Sequence, residues 1–68
     1  MAYQLTAAGH TIIKLAAIHP DNEATARQAM GGALFEALAF VRYGRASEVQ
    51  YRYVQALMAK GYIEQTPS

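Results

Sequence analysis

ASEVQYRYVQALMAKGYIEQ, residues 46–65, is the stretch whose reading decides the fold. Ser47 can cap a helix, and Gln50 sits three residues later, where its amide can reach back to the Ser47 backbone N–H as in a capping box. The stretch holds no breaker before Lys60. Gly61 follows, the residue that takes a left-handed conformation after a helix end at least cost. Tyr62-Ile63 is β-prone. The segment therefore reads as a capped helix, a glycine stop and a short strand. Val49, Tyr53, Ala56 and Leu57 form its inner face, extended by Val54 and Met58. Glu48, Arg52, Gln55 and Ala59 point the other way, with Tyr51 at the border.

Upstream, Tyr43-Gly44-Arg45-Ala46 is a turn in which Gly44 supplies positive φ, giving a helix-turn-helix corner. Before it, Glu23 to Tyr43 reads as one helix with a weak point at Gly31-Gly32, since the apolar phases agree on either side. Ala26, Met30, Ala33, Ala37 and Val41 share a face across the glycines. Asp21 or Asn22 is the expected cap, and Asp21 and Glu23 suit the positive end of the helix dipole. The half from Ala33 to Val41 is apolar nearly all round, which marks a helix buried on several sides. It is either the central helix or a surface that meets a second copy. Leu34, Phe35, Leu38, Phe40 and Val41 are the candidate interface.

The first helix runs from Ala7 to His19, capped by Thr6 and ended by Pro20, because the residue before a proline avoids the α region. His19 is expected at its C-terminal end, where a charged imidazole is favoured. Ala2 to Leu5 is short and reads as a strand or a frayed entry. Residues 66–68 read as a tail.

Sixty-eight residues make one domain, residues 1–68, near the lower limit for folding alone. A chain of this size buries only about 60% of its unfolded surface. With no cysteine, disulfides and thiolate zinc sites are excluded. An apolar content of 53% argues against disorder and suggests more apolar surface than one small core hides, hence an oligomer, a dimer first, or a partner. No apolar run approaches the ~20 residues of a membrane span. The opening MAYQLTAAGH lacks the basic start and continuous apolar run of a signal peptide, so a cytoplasmic location is expected.

The formal charge is +1, but it is unevenly spread. Residues 1–41 carry Lys14 and Arg27 against Asp21, Glu23 and Glu36, a net of −1. Residues 42–60 carry Arg42, Arg45, Arg52 and Lys60 against Glu48, a net of +3. The bland reading is a solvated face; the sharper one is a patch for a polyanion. His10 and His19 lie nine positions apart and cannot share an ion, so no metal and no cofactor is expected. Catalysis has no support: no cysteine nucleophile, no paired carboxylates at helical spacing, no histidine with an obvious serine partner.

Ser47-x4-Arg52-x-Val54-x2-Leu57-x2-Lys60-Gly61-Tyr62-Ile63-Glu64 resembles the recognition helix and following strand of winged helix-turn-helix regulators of the MarR and PadR kind. The resemblance covers about 20 residues of the chain. The helices read above make a mainly helical, all-α-type fold, a three-helix domain with a corner, and the resemblance implies a helix that lies in the major groove of double-stranded DNA. It implies that Arg42, Arg45, Ser47, Tyr51, Arg52 and Gln55 face the DNA, while Val54, Leu57 and Ile63 are core. Arginine can read guanine and glutamine adenine, and phosphate contacts set register. Tyr3-x-Leu5-Thr6-x2-Gly9 resembles the motif that follows the wing in the same families, but here it comes first. One route to a sheet remains, pairing of residues 3–5 with 62–65. The competing reading is a protein-interaction module, such as a phage-type inhibitor or an oligomeric adaptor, with no nucleic acid.

Overall fold

A computed structural model describes residues 2–67. The described residues are mainly helical, with four α-helices and a two-stranded antiparallel sheet: β1 (Ala2–Leu5), α1 (Ala7–Ile18), α2 (Pro20–Met30), α3 (Gly32–Arg42), a 3-10 turn (Ala46–Glu48), α4 (Tyr51–Ala59) and β2 (Ile63–Thr66). The sheet expected from the two β-prone ends forms, with Tyr3 opposite Gln65 and Leu5 opposite Ile63. Leu5 and Ile63 are both buried, an apolar cross-strand pair that fixes the register. Gln4 donates to Glu64 on the outer face at 3.1 Å. Thr66 belongs to this strand rather than to a tail, and Ser68 lies outside the described residues.

One junction locks the sheet to α1. Thr6 accepts from the Gly9 N–H as the helix cap, and its own hydroxyl donates to the Gly61 carbonyl. The Thr6 N–H donates to the Tyr62 carbonyl at 3.0 Å. That same carbonyl oxygen lies against Gly9, where any Cβ would collide with it. The Thr6-x2-Gly9 pattern is therefore a packing device: the cap and the absent side chain let the β2 entrance sit on the first turn of α1.

Two helices end alike. After α4 the Tyr62 N–H reaches the Leu57 carbonyl and the Gly61 N–H that of Met58. After α3 the Arg45 N–H reaches Phe40 and the Gly44 N–H Val41. Both are Schellman closures around a glycine with positive φ, 81° at Gly61 and 74° at Gly44, as the glycine placement led us to expect.

The long second helix is in fact two. Gly31, at φ 92° and ψ 140°, leaves the helical region, and Phe35 N–H restarts the ladder on the Gly31 carbonyl. The small-residue stripe is thereby divided, Ala26 and Ala29 going to α2 and Ala33 and Ala37 to α3. The α2 cap also differs from Asp21 or Asn22. Pro20 is the first helical residue, and His19 Nδ1 accepts from the Asp21 N–H at 3.0 Å. His19 thus closes α1 and opens α2, its ring nitrogen lying at the cap of the second helix.

The core gathers Leu5, Ile13, Ala37, Leu38, Val41, Val54, Leu57 and Ile63, with Leu38 and Leu57 fully enclosed. α3 is its centre, touching β1, α1, α2, the 3-10 turn and α4. This corrects the candidate interface. Leu38, Val41 and Phe35 are buried in the chain's own fold, and Leu34 and Phe40 are half-buried beside it. An all-round apolar helix is explained here by neighbours within one chain. No helix among the described residues is long and apolar enough to cross a membrane.

Candidate nucleic-acid interface

The recognition-helix pattern is built differently at its start than its capping signal implies. Ser47 lies in the 3-10 turn, Val49 and Gln50 are extended, and α4 begins at Tyr51 with no side-chain cap. The capping box does not form. A stronger local bond takes its place: Arg45 clasps Glu48 with both forks, Nε to Oε2 at 2.6 Å and Nη2 to Oε1 at 2.8 Å. In a 3-10 turn residues three apart eclipse, which suits this pair. The clasp holds the Glu48 carboxyl below its ordinary range and raises Arg45 further. The Arg45 guanidinium also lies 5.5 Å from the Phe40 ring centre.

From Tyr51 onward the expected division of α4 is found. Val54 and Leu57 are buried, Tyr53, Ala56 and Met58 are half-buried, and Tyr51, Arg52, Gln55 and Ala59 are exposed. At 100° per residue, positions 51, 52, 55 and 59 fall within one arc of about 100°. Arg52 folds over Tyr53, its Nη2 donating to the phenol oxygen at 3.2 Å and its charge centre 4.9 Å from the ring. No carboxylate pairs with it among the described residues. Tyr51 is 67% exposed.

The six residues assigned to DNA thus separate. Tyr51, Arg52 and Gln55 share one surface. Ser47 is exposed one turn before it. Arg45 is near by but committed to Glu48. Arg42 ends α3 and lies over Tyr43, donating to its hydroxyl at 3.0 Å. It lines hollows with His10 and Lys14 of α1, not with α4. Sequence reasoning left those two out of the site, because nothing local links residues 28 or more positions apart. Of the cations in residues 42–60, the Arg45–Glu48 clasp leaves Arg42, Arg52 and Lys60 without an acidic partner among the described residues.

Compared with known protein families, curated proteins and solved structures, the chain matches none.

Proposed function

We propose that this chain binds double-stranded DNA through the exposed face of α4, as a small cytoplasmic regulator of the helix-turn-helix kind. One observation carries the reading: Arg52 shares a solvent face with Tyr51 and Gln55, free of any carboxylate among the described residues, while Val54 and Leu57 fix the opposite face in the core. A rigidly seated helix with an arginine and a glutamine four residues or fewer apart can offer bidentate donors to base edges. The resemblance to winged regulators and the strand pair behind α4 support it. Arg42, Ser47 and Lys60 would add phosphate contacts. Arg45 contributes less than its sequence position implies, because binding phosphate would cost its bonds to Glu48.

The test is a mobility-shift titration of random duplex DNA at low and moderate salt. Wild-type protein forms a salt-sensitive complex, and Arg52→Ala weakens it roughly tenfold. Absence of any complex at tens of micromolar protein in low salt defeats the reading.

A second reading, an interaction module without nucleic acid, is favoured by α1. Leu15 and Ile18 are 50% and 66% exposed, and α2 beside them has no buried residue. A dimer of this chain would use these residues rather than Leu38 or Val41. Size-exclusion chromatography with light scattering decides it: an oligomer that Ile18→Glu converts to a folded monomer supports the reading, and a wild-type monomer removes the homo-oligomer.

A further inference from the structure

We propose that the crevice between α1 and the C-terminal end of α3 is a binding site for a phosphate group. Two adjoining hollows, of about 320 and 270 Å³, share His10 and Arg42. Lys14 lines the larger one with the apolar residues Ile13 and Ala17. Tyr3 and Gln4 of β1 bound the smaller one. No acidic residue lines either hollow.

The charge arrangement is the reason to read this as a site. Two of the other three arginines are neutralised, Arg52 on α4 being the exception. Arg27 pairs with Glu23 and Glu36, at 3.3 and 3.0 Å, and Arg45 with Glu48. Those pairs occupy three of the four glutamates. Glu64 accepts from Gln4. Glu23 does line a neighbouring hollow with Arg42 and Tyr43, but its carboxylate is bonded to Arg27. Arg42 and Lys14 are thus left facing one crevice with no counter-charge. Arg42 spends one N–H on the Tyr43 hydroxyl and keeps four of its five donors. The side chains of Lys14 and His10 make no hydrogen bond or ion pair among the described residues. A planar fork and a point charge lining one hollow suit a tetrahedral oxyanion, and apolar lining residues strengthen the attraction by limiting water. This site lies on other elements than α4 and does not depend on the reading of that helix.

The phosphate belongs either to a DNA backbone or to a small phosphorylated compound, and two arms of one experiment separate them. In the first, amide spectra of the full chain are titrated with pyrophosphate against chloride at matched ionic strength. Saturable shifts are expected at residues 10, 14 and 42–44. Lys14→Gln should weaken binding severalfold, and Arg52→Ala should leave it unchanged. His10→Gln, a second exposed substitution, should weaken it less. Absence of shifts, shifts spread equally over Arg52 and Lys60, or a Lys14→Gln curve identical to wild type overturns the proposal. In the second arm, random duplex DNA is titrated at several salt concentrations. A salt slope reduced by about 1 in Lys14→Gln assigns the phosphate to DNA. An unchanged slope beside a positive first arm assigns it to a small compound. Pyrophosphate binding with no DNA binding at all leaves the crevice standing and removes the α4 reading.

Discussion

α4 and α2 differ little in length, 9 and 11 residues, yet they are held in opposite ways. α4 sinks Val54 and Leu57 into the core and closes with a Schellman turn. α2 buries no residue. Besides half-buried Met30 against the core, polar edges keep it in place: Asn22 Nδ2 donating to the Leu15 carbonyl at 3.0 Å, His19 at its cap, and Arg27 bridging to Glu36 of α3 over the Phe35 ring at 4.7 Å. Apolar burial is worth far more than exposed ion pairs. So α4 is a fixed platform whose outer side chains are free for binding, while α2 is a peripheral helix whose order depends on polar contacts.

Four substitutions and a pH series can break or sharpen that contrast. The largest effect belongs to Leu57→Ala, which empties the fully enclosed centre and should cost about 2–5 kcal/mol, enough to unfold most of so small a chain by circular dichroism. Next is Gly9→Ala, whose methyl meets the Tyr62 carbonyl and should cost about 1–3 kcal/mol in denaturant titration, through separation of α1 from the β2 entrance. Arg27→Ala should act locally. Its expected signature is faster amide exchange in α2, with α4 amides unchanged; equal acceleration in both helices would show that α2 is not peripheral. The smallest effect is that of pH on the Arg45–Glu48 clasp. The Glu48 carboxyl is lowered in the folded chain, so its contribution is full above the ordinary carboxylate range and is lost as pH falls through the lowered folded value. Glu48→Gln should flatten that part of the acid unfolding curve: it removes the small clasp contribution near neutrality, and the variant and wild type converge at low pH.

The sequence was most legible where a residue has one physical use. Gly44 and Gly61 marked helix ends, Thr6 marked a cap, and Tyr3–Leu5 and the Tyr62-Ile63 region marked strands. The inner and outer faces of α4 followed from spacing alone. Gly31-Gly32 was harder, because apolar phase agrees across it and periodicity does not separate a kink from a break. Ser47 and Gln50 satisfied the capping pattern, but Arg45 and Glu48 offered a charged bidentate bond that holds the chain in a 3-10 turn. His19 was missed as a cap because histidine is outside the usual set; Pro20 at the first helical position was the available signal. The apolar run from Ala33 to Val41 indicated burial correctly, and left open whether the same chain or a second copy would supply it.

The candidate site was legible in part for the same reason. Residues within one helix, Tyr51, Arg52 and Gln55, come together as their spacing requires. Arg42 and Arg45 were grouped with them by proximity in sequence, yet tertiary packing turns Arg42 toward α1, and a neighbouring glutamate engages Arg45.

The central claim is that α4 divides cleanly, its inner residues making the fold and its outer residues making contact with DNA. The most direct measurement is thermal melting and duplex-DNA affinity on the same preparation of Arg52→Ala. The account predicts a wild-type melting temperature together with roughly tenfold weaker, salt-sensitive binding. Unchanged DNA affinity, or a loss of affinity matched by a fall in melting temperature, would contradict it.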